Sequence, residues 1–88
     1  MTYAVRFSTT ARRAITDTLP ESVAAAALEL IQGDLREEPY RIGRRLAPPL
    51  DDRLSARRGT YGILYQVDDA TKTLTIVSIQ HRRDAYRT

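Results

Sequence analysis

The 88-residue chain contains no cysteine, a single histidine, and one lysine against thirteen arginines. Without cysteine there is neither a disulfide nor a thiolate metal site to reinforce a small fold. With no histidine pair and no Asp/Glu cluster of metal-ligand spacing, metal-assisted hydrolysis is not expected, and no metal or cofactor is called for. Gly-rich phosphate loops and serine-nucleophile motifs are missing too. No N-terminal apolar leader and no long uncharged apolar segment occur, so the expectation is a soluble, cytoplasmic protein without membrane contact. Repeats and low-complexity tracts are also absent. The chain reads as one domain, residues 1–88, near the lower size limit for independent folding. A domain this small buries only about 60–65% of its unfolded surface, so a partner covering apolar surface would add stability.

What is present is arginine, unevenly placed. The formal net charge is +3, but residues 1–40 carry −2 and residues 41–88 carry +5. A GC-rich genome accounts for a preference for arginine over lysine, though not for this clustering. Arginine's planar fork suits bidentate phosphate contacts, whereas lysine is a point charge.

"TYAVRF" alternates Tyr3, Val5 and Phe7 against Ala4 and Arg6, the pattern of a half-buried strand. "STTARRAITDTL" places Ala11, Ile15 and Leu19 at helical spacing, with Ser8 or Thr9 as the cap. "TLPE" then reads as a capping box in which Thr18 and Glu21 close the start of a second helix. Val23, Ala27, Ile31 and Leu35 mark that helix's buried stripe; Gly33 frays its end and Pro39 stops it. The two form a helical hairpin. Residues 36–51, "REEPYRIGRRLAPPLD", are a long connection without structure of its own, and such loops tend to be functional. Three strands follow. In "RLSARR", Leu54 and Ala56 share one face, and Arg53, Ser55 and Arg57 the other. "TYGILYQV" groups Tyr61, Ile63, Tyr65 and Val67 as core against Thr60, Gly62, Leu64 and Gln66, with Arg58-Gly59 as the turn before it. "TLTIVSIQ" closes the series. The layout β-α-α-β-β-β predicts an α+β fold, a small antiparallel sheet with the helical hairpin on one face.

An open sheet face carrying Arg53 and Arg57, with the chain end "HRRDAY" brought alongside, suits an RNA backbone. The chemistry such residues allow is metal-free cleavage, in which a ribose 2′-OH attacks the adjacent phosphate. It needs a base, an acid for the leaving 5′ oxygen, and cations for the charged transition state. Arginine stays protonated and stabilises charge. Tyr86 or His81 must then move protons; a tyrosine starts near pKa ~10 and needs cations such as Arg82 beside it, a histidine near ~6.5.

"ARRGTYGILYQVDD" followed by "SIQHRRDAY" resembles the RelE/ParE toxin superfamily of bacterial type II toxin–antitoxin modules, and its RelE branch most. The likeness extends over nearly the whole chain, including "YAVRFSTTARRAI" and "GDLREEPYRIGRRL". It implies a RelE-like fold and a ribonuclease acting on mRNA in the ribosomal A site. The implied partners are a RelB-like helical antitoxin, the ribosome and mRNA, with operator DNA reached only through the antitoxin. By position it implies catalytic roles for Arg57, Arg82 and Tyr86, and RNA contacts for Arg53 and, around it, Arg44, Arg45, Arg58, His81 and Arg83. One position departs from the pattern: where the superfamily has Gly-x-Tyr-Arg, Tyr61 is followed here by Gly62. The missing arginine would stabilise the transition state, and losing one such donor costs on the order of 10²–10³ in rate. Gly62 therefore marks a weak toxin, a site in which a neighbour such as Arg58 substitutes, or an attenuated form. A ParE-like inhibitor of DNA gyrase and a non-catalytic antitoxin-binding co-repressor are the alternative functions.

Overall fold

The computed structural model describes residues 2–81. Strand β1 (Ala4–Phe7) leads into helix α1 (Thr9–Arg13), which a wide turn carries on through Ala14–Thr18. Helix α2 (Glu21–Leu30) continues in the same way through Ile31–Leu35, and a short α3 (Pro39–Ile42) follows. Strands β2 (Arg44–Arg45), β3 (Leu54–Arg58), β4 (Tyr61–Asp68) and β5 (Thr73–His81) complete a five-stranded sheet in the order β1-β5-β4-β3-β2.

The α+β class and the helix-covered face are as expected; the sheet differs at both edges. β1 pairs with β5 in parallel, while β2–β3, β3–β4 and β4–β5 are antiparallel. No hairpin joins β1 to a neighbour, so no tight turn imposes the antiparallel direction on it. At the other edge, the connection over residues 36–51 is partly ordered as α3 and β2. Pro39 stops the preceding helix as expected, since Glu38 before it is non-helical, and itself occupies the first position of α3, where its missing N–H costs nothing.

Helix starts follow local chemistry, with one correction. Ser8 caps α1 by accepting from the Ala11 amide at 3.0 Å. The capping box on Thr18 does not form, because the first helical segment runs through Thr18 and denies it the extended backbone a cap requires. Pro20 stands at the start of α2, without a side-chain cap. Gly33 does not end α2; it kinks the helix, which continues to Leu35.

The core lies between helices and sheet. Ile31, Leu35, Ile63, Tyr65, Leu74 and Ile76 are fully buried, each contributing roughly 1.5–3 kcal/mol relative to exposure. The Tyr65 hydroxyl reaches under α3 and donates to the Pro39 carbonyl. Burial pushes its pKa up to about 12. Gly43, just after α3, is what lets this ring in: a side chain there would overlap the Tyr65 hydroxyl and come within 2.9 Å of the Ser55 carbonyl oxygen. A second polar tie joins three distant segments. Tyr3 donates to Asp69 at 2.6 Å, Tyr40 donates to the other carboxylate oxygen at 2.5 Å, and the Lys72 ammonium lies 5.4 Å from the Tyr3 ring centre. These bonds hold Asp69 below the usual carboxylate range and raise both phenols, that of Tyr3 to about 12.

Two outcomes are expected. Gly43→Ala should cost about 1–3 kcal/mol through overpacking, and Tyr65→Phe about 0.5–1.5 kcal/mol through the lost bond to the Pro39 carbonyl, which keeps only the Gly43 amide at 3.4 Å. In urea melts the double variant should lose less than the sum, because removing the hydroxyl relieves the tightest overlap; strict additivity would refute the steric account. As for pH, the folded pKa of Asp69 is depressed, so its contribution is complete above the ordinary value of about 4 and is lost as pH falls through the folded value. The raised phenols contribute fully below about pH 10, and that stability is lost as pH climbs toward 12. Asp69→Asn should flatten the acid limb of the stability profile and leave an alkaline loss from Tyr65, as read by melting temperature across pH.

Candidate functional site

The face of the sheet away from the helices is ordered in cross-strand rows. Arg44 lies opposite Ser55, Ser55 opposite Leu64, and Leu64 opposite Ser78. In the adjoining row Arg57 lies opposite Gly62, and Gly62 opposite Gln80. Arg57 is exposed, and Gly62, which projects no side chain, is half-buried. Ser55, Arg57, Gly62, Leu64, Ser78 and Gln80 of these rows, with Leu46 and the turn at Gly59–Thr60, line a concavity of about 410 Å³. Its floor is the Leu64 side chain and the bare backbone at Gly62; its walls are guanidinium, hydroxyl and amide.

The contents of this face depend on an irregularity in β5. Tyr65 pairs with Ile76, but Leu64 pairs with Ser78, so Val77 is an extra residue and the inward positions run Leu74, Ile76, Ile79. A bulge reverses which residues face which side beyond it. Ser8 holds it: its amide donates to the Ile76 carbonyl at 2.9 Å and its hydroxyl to the Val77 carbonyl at 2.6 Å. Ser78 and Gln80 thereby join the open face, while His81, paired with Tyr61, falls on the helix side.

The arginines singled out in the sequence divide between the two faces. Arg44 and Arg57 stand on the open face by register, and Arg53 continues the alternation of Ser55 and Arg57. Arg53 is half-buried, and its Nε has no hydrogen-bond partner among the described residues. Arg45 pairs with Leu54 on the helix side and donates to the Asp51 carbonyl at 2.6 Å. Arg58 pairs with Tyr61, whose hydroxyl donates to the Ala26 carbonyl of α2 at 3.2 Å. Burial raises the Tyr61 phenol, and nearby Arg58 opposes that rise. The expectation that Arg58 stands in for the cation missing at Gly62 therefore fails on register, since the two lie on opposite faces of the sheet. Arg82, Arg83 and Tyr86 lie outside the described residues.

Two residues of the concavity, Ser78 and Gln80, escaped the sequence reading. Strict period-two alternation from Leu74 points both inward. The signal that finds them is the three-residue interval between Ile76 and Ile79, which a regular strand does not produce.

The sequence and the fold have known counterparts. A family model for the ParE toxin of the type II toxin–antitoxin system, parDE, matches residues 2–86. Toxin RelG of Mycobacterium tuberculosis is 48% identical over 87 residues, covering 99% of both chains. Toxin RelE of the same organism is 39% identical over 85 residues, covering 97% of this chain and 87% of the relative. A chain of the M. tuberculosis RelBE2 toxin–antitoxin complex superposes with a TM-score of 0.89 at 46% identity, over 93% of this chain and all of its own. The isolated Escherichia coli RelE toxin has the same fold, at TM-score 0.70 and 19% identity over 90% of this chain and 83% of that one. Match, register and fold agree: the chain belongs to the ParE toxin family of type II toxin–antitoxin systems, among its RelE-like toxins.

Proposed function

We propose that this toxin is a ribosome-dependent mRNA endonuclease, reduced in rate by glycine at position 62. The observation that carries the reading is the Arg57–Gly62 pair beside the concavity, on a face that Arg44 and Arg53 share. The 2′-OH of one ribose attacks the adjacent phosphorus and loses its proton to a base. The bond to the 5′ oxygen breaks, that oxygen takes up a proton, and a 2′,3′-cyclic phosphate remains. Arg57 stabilises the charge on the phosphoryl oxygens, and Arg82 adds a second cation. Tyr86 transfers a proton. Arg53 and Arg44 hold the flanking backbone. Among the described residues, the cross-strand row of Arg57, Gly62 and Gln80 holds no second cation, which is why a slow enzyme is proposed. The ribosome positions the message, so free RNA is a poor substrate.

The partner follows from the relatives. RelBE2 of M. tuberculosis and the archaeal RelE–RelB pair of Pyrococcus horikoshii are toxin–antitoxin complexes. A RelB-like antitoxin is accordingly proposed for this chain, with operator DNA bound only through it. Gly62 also supports a second reading, a module that binds its antitoxin and co-represses without cleaving.

Primer extension on a translated message separates these readings. Breaks within A-site codons support the nuclease, DNA damage without them supports a gyrase inhibitor, and neither supports the co-repressor. Gly62→Arg should raise cleavage and growth arrest on induction by on the order of 10²–10³. The backbone admits a side chain there, because a Cβ at this position would sit 3.7 Å from the Ala56 carbonyl oxygen and 3.8 Å from Arg57 Cγ, ordinary contacts. No gain in toxicity would reject attenuation by glycine. Arg53→Ala and Arg57→Ala should each weaken RNA binding and reduce its salt slope by about one; an unchanged slope would make both ordinary surface charges.

A further inference from the structure

We infer that the concavity over Gly62 is a seat for one unstacked RNA base, a purine in preference, and that Gln80 hydrogen-bonds that base's edge. This rests on the proposed RNA chemistry and goes beyond it, by assigning the open face a role in sequence preference.

The geometry is that of a shallow slot. Its volume of about 410 Å³ lies within the range of about 300–1,000 Å³ typical of small-molecule sites. An arginine at position 62 would project into this slot from its floor; glycine leaves the floor open. Across β3 from Gly62 stands Arg57, and across β5 stands exposed Gln80. Single-stranded RNA is recognised by splaying a base onto a flat side chain and hydrogen-bonding its edge. Here the Arg57 guanidinium supplies the flat contact and the Leu64 side chain an apolar one. A glutamine carboxamide presents one donor and one acceptor side by side, the complement of the N6 donor and N7 acceptor on adenine. An unstacked uracil offers a like pair, N3–H and O4, so the preference for the purine comes from its larger face against Arg57 and Leu64. Ser55 and Ser78 flank Leu64, and their hydroxyls turn to donate or accept. A phosphate on Arg57 would place the attached base over Gly62 and within reach of Gln80, because the three residues form one cross-strand row.

The arrangement gives residue 62 two competing uses. An arginine there supplies a transition-state cation and occupies the slot. Glycine gives up the cation and opens the slot to a base.

Titration of the purified toxin with AMP, UMP and ribose 5-phosphate, followed by amide chemical shifts, tests this without ribosome or cleavage. AMP should perturb Arg57, Gly62, Leu64 and Gln80, and bind more tightly than UMP by about fivefold, the low end for base stacking on a side chain. Gln80→Ala, at an exposed position, should weaken AMP by about fivefold or more and leave ribose 5-phosphate unchanged. Gly62→Val suits a strand and fills the slot, so it should reduce both nucleotides to the affinity of ribose 5-phosphate. Equal binding of all three probes to the wild type, or no shifts on the open face, would overturn the base seat even if A-site cleavage is found. Conversely, base-dependent binding with no A-site cleavage would keep the seat and reject the nuclease. In the ribosomal assay, Gly62→Arg should raise cleavage while flattening codon preference; a preference that survives this filling would also overturn the inference.

Discussion

The contact between Ser8 and the bulge in β5 decides which residues the open face displays. One serine does three things: it caps α1, closes the β1–β5 junction through its amide, and bonds the extra residue Val77 through its hydroxyl. Without the bulge, Ser78 and Gln80 would point at the helices, and Ile79 would face water. Because a one-residue slip exchanges the two faces of a strand, a local bond at the sheet edge controls chemistry two strands away. The parallel pairing of β1 with β5 serves the same end, since it brings Ser8 alongside Ile76 and Val77.

Much of the fold was legible in the chain because its signals are local and redundant. The stripe Ala27, Ile31, Leu35 follows helical period and is fully buried. Leu54 and Ala56 alternate with Ser55 and Arg57 as half-buried strands do. Gly59, with φ +55, forms the β3–β4 turn expected of it. What failed depended on partners distant in sequence. Neither the direction of β1 nor the two-residue β2 can be inferred from residues 4–7 and 44–45 alone, since each is defined by the strand beside it. Thr18 looked like a cap because its spacing to Glu21 fits one, yet tertiary packing extended the preceding helix through it.

The site was legible in its residue types and less so in its faces. Counting arginines treats Arg57 and Arg58 as neighbours, but a strand sends adjacent side chains to opposite sides. The same rule separates Arg44 from Arg45. Only half of each adjacent pair belongs to the open face. Where alternation was applied explicitly, in "RLSARR", the faces came out as the structure has them. Where it was not, at Arg44-Arg45 within the connection, residues from both faces were grouped together, and after the bulge His81 was chosen while Gln80 was passed over.

Position 62 shows how magnitudes decide what a residue is for. Glycine within a strand costs roughly 0.5–1 kcal/mol in backbone order relative to alanine. An arginine directly opposite Arg57 would place like charges across an antiparallel pair, a penalty of about 0.2–1 kcal/mol. These terms nearly cancel, so folding stability gives little reason to choose either residue. Under the proposed chemistry the catalytic term is larger, ~3–4 kcal/mol for a preorganised donor. On that proposal the identity of residue 62 is set by what the face does to RNA. Gly43 is the opposite case: the Tyr65 ring and the Ser55 carbonyl fill the space a side chain would need. Two glycines on one small domain thus answer to different constraints, one to the packing beneath α3 and the other to the chemistry of the open face.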